Sequence, residues 1–151
     1  MSLDVRLERT FDAPPERVFR AWLEPHLLRR WMAPGEIATT QAEVDQRVGG
    51  RYRIWHTQDG VDVGGFDCAL VELVPNERIV WQWGFVGPQR ADGPVFDSLL
   101  TVILRPTAAG GTLLTLEHTR LDDLATALPD VAGNVEAGWK SVLDKLAGAM
   151  A

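Results

Sequence analysis

The chain has 151 residues, 46% of them hydrophobic and 24% charged, with a formal net charge of -6 at pH 7. This length and balance are typical of one globular domain that buries a continuous core without disulfides or metal ions. A nucleic-acid-binding protein needs a basic face to neutralise phosphates, and the basic residues here are scattered. We therefore expect no nucleic-acid partner.

Cysteine usage and hydropathy limit the cellular location. Cys68 is the only cysteine, which excludes an intrachain disulfide. The N-terminus alternates charged with apolar residues, so it lacks the apolar core of a signal peptide. No stretch approaches the roughly 20 apolar residues that span a bilayer. We therefore expect a cytoplasmic protein without a membrane span.

The first third of the chain predicts a strand and two short helices. Residues 3–11 alternate and predict the strand. The Pro-Pro-Glu sequence at 14–16 favours a helix start, because proline costs nothing in the first turn and an acid complements the helix dipole. Pro25 ends this helix, and residues 26–31 predict a second short one.

From about residue 37 to 119, glycine, proline and asparagine turns divide six further strands. Short strands this closely spaced favour antiparallel pairing, because parallel pairing needs intervening helices. Val135, Trp139, Val142, Leu146 and Ala149 then follow helical spacing, which predicts a long helix over about 131–149. The order predicts an α+β fold, with seven antiparallel strands around one helix and a cavity left between them.

Strand alternation predicts which side chains face that cavity, since every second residue shares a face. The expected wall is aromatic and aliphatic with a few polar groups, as in small-molecule pockets. Its predicted ligand-binding members are Tyr52, Ile54, His56, Asp67, Trp81, Trp83, Phe85, Phe96, Ser98 and His118 from the strands, with Trp139 from the helix.

The register at 65–73 decides two of these assignments. If Glu72 points outward, Asp67 lies inside and Cys68 outside, unless a bulge intervenes. By the same alternation Trp55 lies on the outer face, where it is a candidate contact for a homodimer.

Several motifs carry a resemblance to a known family. They are Phe11–Trp22, Trp31 followed by Pro34, Asp45–Arg51, Glu72–Val80, Gly111–His118 and Gly138-Trp139. Together they resemble the activator of heat-shock-chaperone ATPase-like (AHSA-type) family of the START-like (SRPBCC) superfamily, which includes the birch-pollen allergen fold. The resemblance implies a helix-grip fold: a curved seven-stranded antiparallel sheet around a long C-terminal helix, two short helices between the first two strands, and a deep hydrophobic cavity. It runs over nearly the whole chain, so we expect a single domain over 1–151.

The resemblance leaves three functions open, because one fold hosts many activities. The first is a binding or carrier domain for an apolar small molecule. The second is a cavity enzyme of cyclase or hydrolase type with His56 as acid or base. A pH-dependent turnover that disappears in a folded His56→Ala protein would support it, and full activity in that variant would exclude it. The third is a co-chaperone, although in such relatives this domain is joined to a separate chaperone-binding domain.

Metal and cofactor chemistry are not expected. The three histidines lack zinc-site spacing, and a metal would need His56, His118 and Asp67 to meet in space. Cys68 has the wrong parity for a cavity nucleophile, and no strand–turn–helix serine motif is present.

Overall fold

The computed structural model describes residues 4–88, 95–127 and 129–150. The strands are β1 (Val5–Phe11), β2 (Ala38–Val44), β3 (Arg51–Gln58), β4 (Val61–Val74), β5 (Arg78–Val86), β6 (Val95–Pro106) and β7 (Thr112–Thr119). The helices are α1 (Pro15–Leu23), α2 (Pro25–Leu28), α3 (Asp122–Ala127), α4 (Pro129–Gly133) and α5 (Val135–Met150). Over these ranges, no helix is long and apolar enough to cross a membrane.

All seven strands form one antiparallel sheet in the order β1-β7-β6-β5-β4-β3-β2. Consecutive strands from β2 to β7 are neighbours, while β1 and β2 lie at opposite edges. The chain crosses from one edge to the other through α1 and α2. Helix α5 packs one face against a hydrophobic core that it shares with the strands and α1. Its buried residues are Val135, Trp139, Val142, Leu143, Leu146 and Met150. The predicted helix-grip fold is confirmed.

Helix α1 ends where Pro25 blocks it, and its C-terminus is tied to three other parts of the fold. The last carbonyls of a helix lack intrahelical partners and need donors from elsewhere. Here each carbonyl finds a donor. Arg20 O accepts from Glu24 N at 2.9 Å and Ala21 O from Trp31 Nε1 at 3.2 Å. Trp22 O accepts from the Tyr52 hydroxyl at 2.7 Å and Leu23 O from Gln46 Nε2 at 3.4 Å. Donors from the α2 region, β3 and the β2–β3 connection thus fix the position of α1.

The predicted C-terminal helix is shorter than expected and is preceded by two helices. It begins at Val135 rather than about residue 131, and α4 is a separate helix ending at Gly133. Helix α3 was not predicted, because it has six residues and buries only Leu124, too little to show a periodic apolar face.

The predicted register of β4 is wrong. Phe66, Cys68 and Leu70 point into the core with 8%, 0% and 1% exposure, whereas Val71 is 43% exposed. The pairing of β4 with β5 shifts between Leu70 and Glu72, so Val71 is the extra residue of a β-bulge. The bulge reverses the alternation, which puts Glu72 outward without putting Cys68 there.

Candidate ligand pocket

A pocket of about 500 Å³ opens beside the aromatic core. Its walls come from the α2–β2 connection, the ends of β3, β4 and β5, and the helices α4 and α5. Buried side chains and backbone form its floor: His56, Gly65, Phe66, Val86, Val135, Trp139 and Val142. Half-buried and exposed residues complete the walls and rim: Pro34, Ile37, Val63, Phe85, Gly87, Asp130, Asn134 and Gly138.

Glycines shape the β4 side of this pocket by letting backbones approach closely. A Cβ on Gly65 would lie 2.1 Å from the Ile54 carbonyl oxygen, and one on Gly64 would lie 2.1 Å from that of Val86. Both glycines have positive φ, 101° at Gly64 and 149° at Gly65, where other residues are strained. The pocket end of β4 therefore requires glycine at both positions.

His56 lies in the pocket floor, as predicted, and is 5% exposed. Its Nε2 lies 2.7 Å from the Met32 carbonyl oxygen, which also accepts from the Thr39 hydroxyl at 2.8 Å. Because a carbonyl only accepts, Nε2 carries the proton in this contact. The Phe66 ring packs edge-on against the imidazole at 4.8 Å. His56 thus joins β3 to the α2–β2 connection and also lines the pocket.

Three of the six predicted wall aromatics, together with Ile54, lie in packed core next to the pocket rather than on its surface. Tyr52, Ile54, Trp81 and Trp83 have 0% exposure and do not line the pocket. Trp22 from α1 packs 5.5 Å from Trp81, ring centroid to ring centroid, and occupies the space in front of it. Of the three tryptophans expected on the wall, Trp139 lines the pocket.

His118 lies behind two pocket residues. Its exposure is 0%, and its Nδ1 accepts a hydrogen bond from Trp139 Nε1 at 3.0 Å. The Phe85 ring stacks on the imidazole, with ring centroids 6.0 Å apart and an interplanar angle of 12°. Burial lowers the pKa of His118 from 6.5 to about 3, so the ring is neutral. Within the described residues its Nε2 has no hydrogen-bond partner.

The remaining predicted polar residues do not face the pocket. Asp67 lies on the outer face with its carboxylate 2.7 Å from Arg51 and 3.5 Å from Arg53, so its predicted inward position is wrong. The bulge explains the error. The buried Ser98 hydroxyl donates to the Trp83 carbonyl. The backbone of Phe96 belongs to β6, but its side chain is outside the described part of the structure.

The displacement of Asp67 also separates the three groups that a metal site would need. His56 and His118 face the core, while Asp67 is on the opposite side of the sheet. In the ranges the structure describes, no group of three or more histidine, cysteine or acidic side chains could hold a metal ion.

Sequence reasoning missed several pocket residues for two reasons. The predicted register of β4 placed Phe66 on the outer face. The apolar residues Phe66, Cys68 and Leu70, at every second position, were the local indication that this face points inward. Pro34, Ile37, Val142 and Gly138 come from a connection and a helix, whose placement against the sheet has no local signature.

A sheet that grips a C-terminal helix beside an apolar pocket defines a START-like, helix-grip protein. Residues 12–151 match the family model described as Activator of Hsp90 ATPase homolog 1-like protein. The chain belongs to this family. The predicted resemblance is thereby confirmed.

Solved structures with the same fold include several bacterial proteins. One from Chromobacterium violaceum is 32% identical with a TM-score of 0.75, covering 97% of this chain and 96% of that one. One from Rhizobium loti is 30% identical with a TM-score of 0.71, covering 97% and 95%. One from Arthrobacter aurescens reaches a TM-score of 0.82 at 21% identity, covering 99% and 86%. Comparison with curated proteins finds no match.

Proposed function

We propose that the protein is a cytoplasmic binding or carrier domain for an apolar small molecule held in the pocket above Trp139. The observation that carries this proposal is a pocket of about 500 Å³ with a mainly apolar floor. Its volume is within the range of about 300–1,000 Å³ that small-molecule sites occupy.

The distribution of polar groups supports an apolar ligand body. His56 is the polar side chain in the floor, and its Nε2–H already donates to Met32. Asp130 and Asn134 are exposed at the rim, where water solvates them. A ligand that fills the floor therefore contacts Phe66, Trp139 and Val142, and removing its apolar surface from water drives binding.

A pair of glycines in α5 offers a matched test of the pocket. Gly138 lines it, and a Cβ there would lie 3.9 Å from Pro34, whereas Gly148 is exposed with nothing within 4 Å of its Cβ position. We expect Gly138→Met to weaken binding of the neutral fluorophore N-phenyl-1-naphthylamine by about tenfold or more, because the new side chain occupies ligand volume. Titration of the probe's fluorescence gives the dissociation constants.

The control is Gly148→Met, which makes the same change on the same helix away from the pocket. It should leave probe binding unchanged, and both variants should keep or gain helix stability, because glycine is a poor helix former. Equal affinity for the probe in wild type and Gly138→Met, or no binding by wild type to a panel of neutral aromatic probes, would contradict the proposal.

Two expectations remain outside this proposal as predictions. An acid–base role for His56 would fall to Nδ1, because Nε2 carries the proton that Met32 accepts. A homodimer through the outer face would involve Trp55, which is half-buried there.

A further inference from the structure

The aromatic core beneath the pocket contains buried hydrogen-bond donors that find no acceptor in the described part of the chain. Within the described residues, the indole N–H groups of Trp22, Trp81 and Trp83 and the Nε2 of His118 have no partner. All four side chains are 0% exposed. Buried polar groups are nearly always paired, because an unpaired one loses its bonds to water and gains nothing. Such a set is an exception that needs a physical reason.

The chemical state of His118 makes it a donor at Nε2. A neutral imidazole has one N–H and one bare nitrogen. Trp139 Nε1 can only donate, and it donates to Nδ1 at 3.0 Å, so Nδ1 is the bare nitrogen and Nε2 carries the hydrogen. Burial in this apolar surrounding keeps the ring neutral, which the lowered pKa also indicates.

This donor is one layer away from the pocket. Phe85 and Trp139 both line the pocket, and both contact His118: Phe85 by stacking and Trp139 through its hydrogen bond. Phe85 is half-buried and covers one face of the imidazole, so its ring would have to move aside for a ligand in the pocket to reach His118. The Trp83 ring lies 6.3 Å from the His118 ring, centroid to centroid, and its indole N–H also has no partner among the described residues.

We infer that the pocket takes an apolar ligand carrying a hydrogen-bond acceptor oxygen, such as a ketone, and that this oxygen reaches past Phe85 to accept from His118 Nε2–H. This inference rests on the proposed function and adds the chemical class of the ligand. The acceptor supplies a partner that His118 Nε2–H lacks among the described residues, so a ligand with an acceptor gains more than a hydrocarbon of the same shape. Trp139 acts as a positioning residue, because its N–H holds His118 in the tautomer that donates at Nε2.

Two probes of nearly equal shape separate the acceptor from the apolar body. They are 2-acetylnaphthalene and 2-isopropenylnaphthalene, which differ by an oxygen in place of a methylene group. The quantity to compare is the ratio of their dissociation constants, hydrocarbon over ketone, in wild type and in His118→Phe. We expect the ratio to be about tenfold larger in wild type, because one hydrogen bond to a buried donor is lost in the variant.

A second measurement uses the wild-type protein alone and so does not depend on the variant folding. Imidazole ¹⁵N spectra should show His118 protonated at Nε2 and bare at Nδ1. The Nε2–H proton resonance should move downfield with 2-acetylnaphthalene and stay unchanged with 2-isopropenylnaphthalene.

The outcomes distinguish this inference from the proposed function. The inference is overturned if the ratio of dissociation constants is the same in the two proteins, or if the ketone does not shift the Nε2–H resonance. The proposed function of the apolar pocket is then unaffected. If neither probe binds wild type, the proposed function fails and the inference fails with it. A ratio that falls in His118→Phe, or a downfield shift caused by the ketone alone, supports the inference.

Discussion

Trp81→Ala is expected to lower the free energy of unfolding by about 3–5 kcal/mol, the range for truncating a buried tryptophan. Its ring is 0% exposed and packs against Trp22, Tyr52 and Trp83, with centroids 5.5, 5.4 and 5.7 Å away. These partners belong to α1, β3 and β5, so the cavity left by truncation cannot collapse without moving several elements. Urea unfolding followed by far-ultraviolet circular dichroism measures the loss.

Trp55→Ala is the matched control, because it removes the same side chain from the outer face of the sheet. Trp55 is half-buried there, so we expect a smaller loss of about 1–2 kcal/mol from the apolar area that returns to water. Equal losses at the two positions would show that the cluster around Trp81 is not the main support of the fold.

The second large effect is a loss of stability on mild acidification, caused by His118. Burial lowers its pKa from 6.5 to about 3, so between these values the unfolded chain binds a proton that the folded chain does not. Stability is then fully present above pH 6.5 and falls by about 1.4 kcal/mol per pH unit as the pH drops towards 3. Between pH 6.5 and 5 the expected loss is about 2 kcal/mol.

His118→Gln isolates this contribution, because an amide oxygen can still accept from Trp139 Nε1 while the side chain no longer titrates. The unfolding free energy of wild type minus that of the variant should therefore fall with decreasing pH. The contributions of the carboxylates are common to both proteins and cancel in this difference. His26→Gln is the matched control, because it makes the same substitution at an exposed histidine. If His118→Gln loses unfolding free energy with decreasing pH as steeply as wild type does, the acid sensitivity belongs to other groups.

The strand number, the order of the strands and of the first two helices, and the apolar face of α5 could be predicted because their signals are local. Turn residues divide the strands, and the spacing from Val135 to Leu146 needs no knowledge of the rest of the fold. The register of β4 has a different origin. Leu70 pairs its backbone with Gly49 and Gly50, and these long-range hydrogen bonds hold the chain where Val71 bulges. Alternation within one strand cannot reveal where another strand forces an extra residue.

The pocket shows the same division between local and long-range information. Alternation correctly places Trp81 and Trp83 on the inner face of the sheet, and both are buried. Whether an inner residue lines a cavity or is covered depends on how the helices pack against that face. Trp22 covers Trp81, whereas the region beyond Phe66 and Phe85 is bordered by the α2–β2 connection, α4 and the N-terminal half of α5, which leave the pocket open. The pocket therefore lies beside the start of β4 and the end of β5, whereas alternation predicted it in front of Trp81 and Trp83.

The hydrogen bonds at the C-terminus of α1 limit which parts of the molecule could move to admit a ligand. Three side chains, Trp31, Tyr52 and Gln46, hold its final carbonyls to separate parts of the molecule. Swinging this helix away would break all of these bonds together, so we expect α1 to stay in place beside the aromatic core. A ligand entering the pocket would instead pass its rim, where Gly87, Asp130 and Asn134 are exposed to solvent.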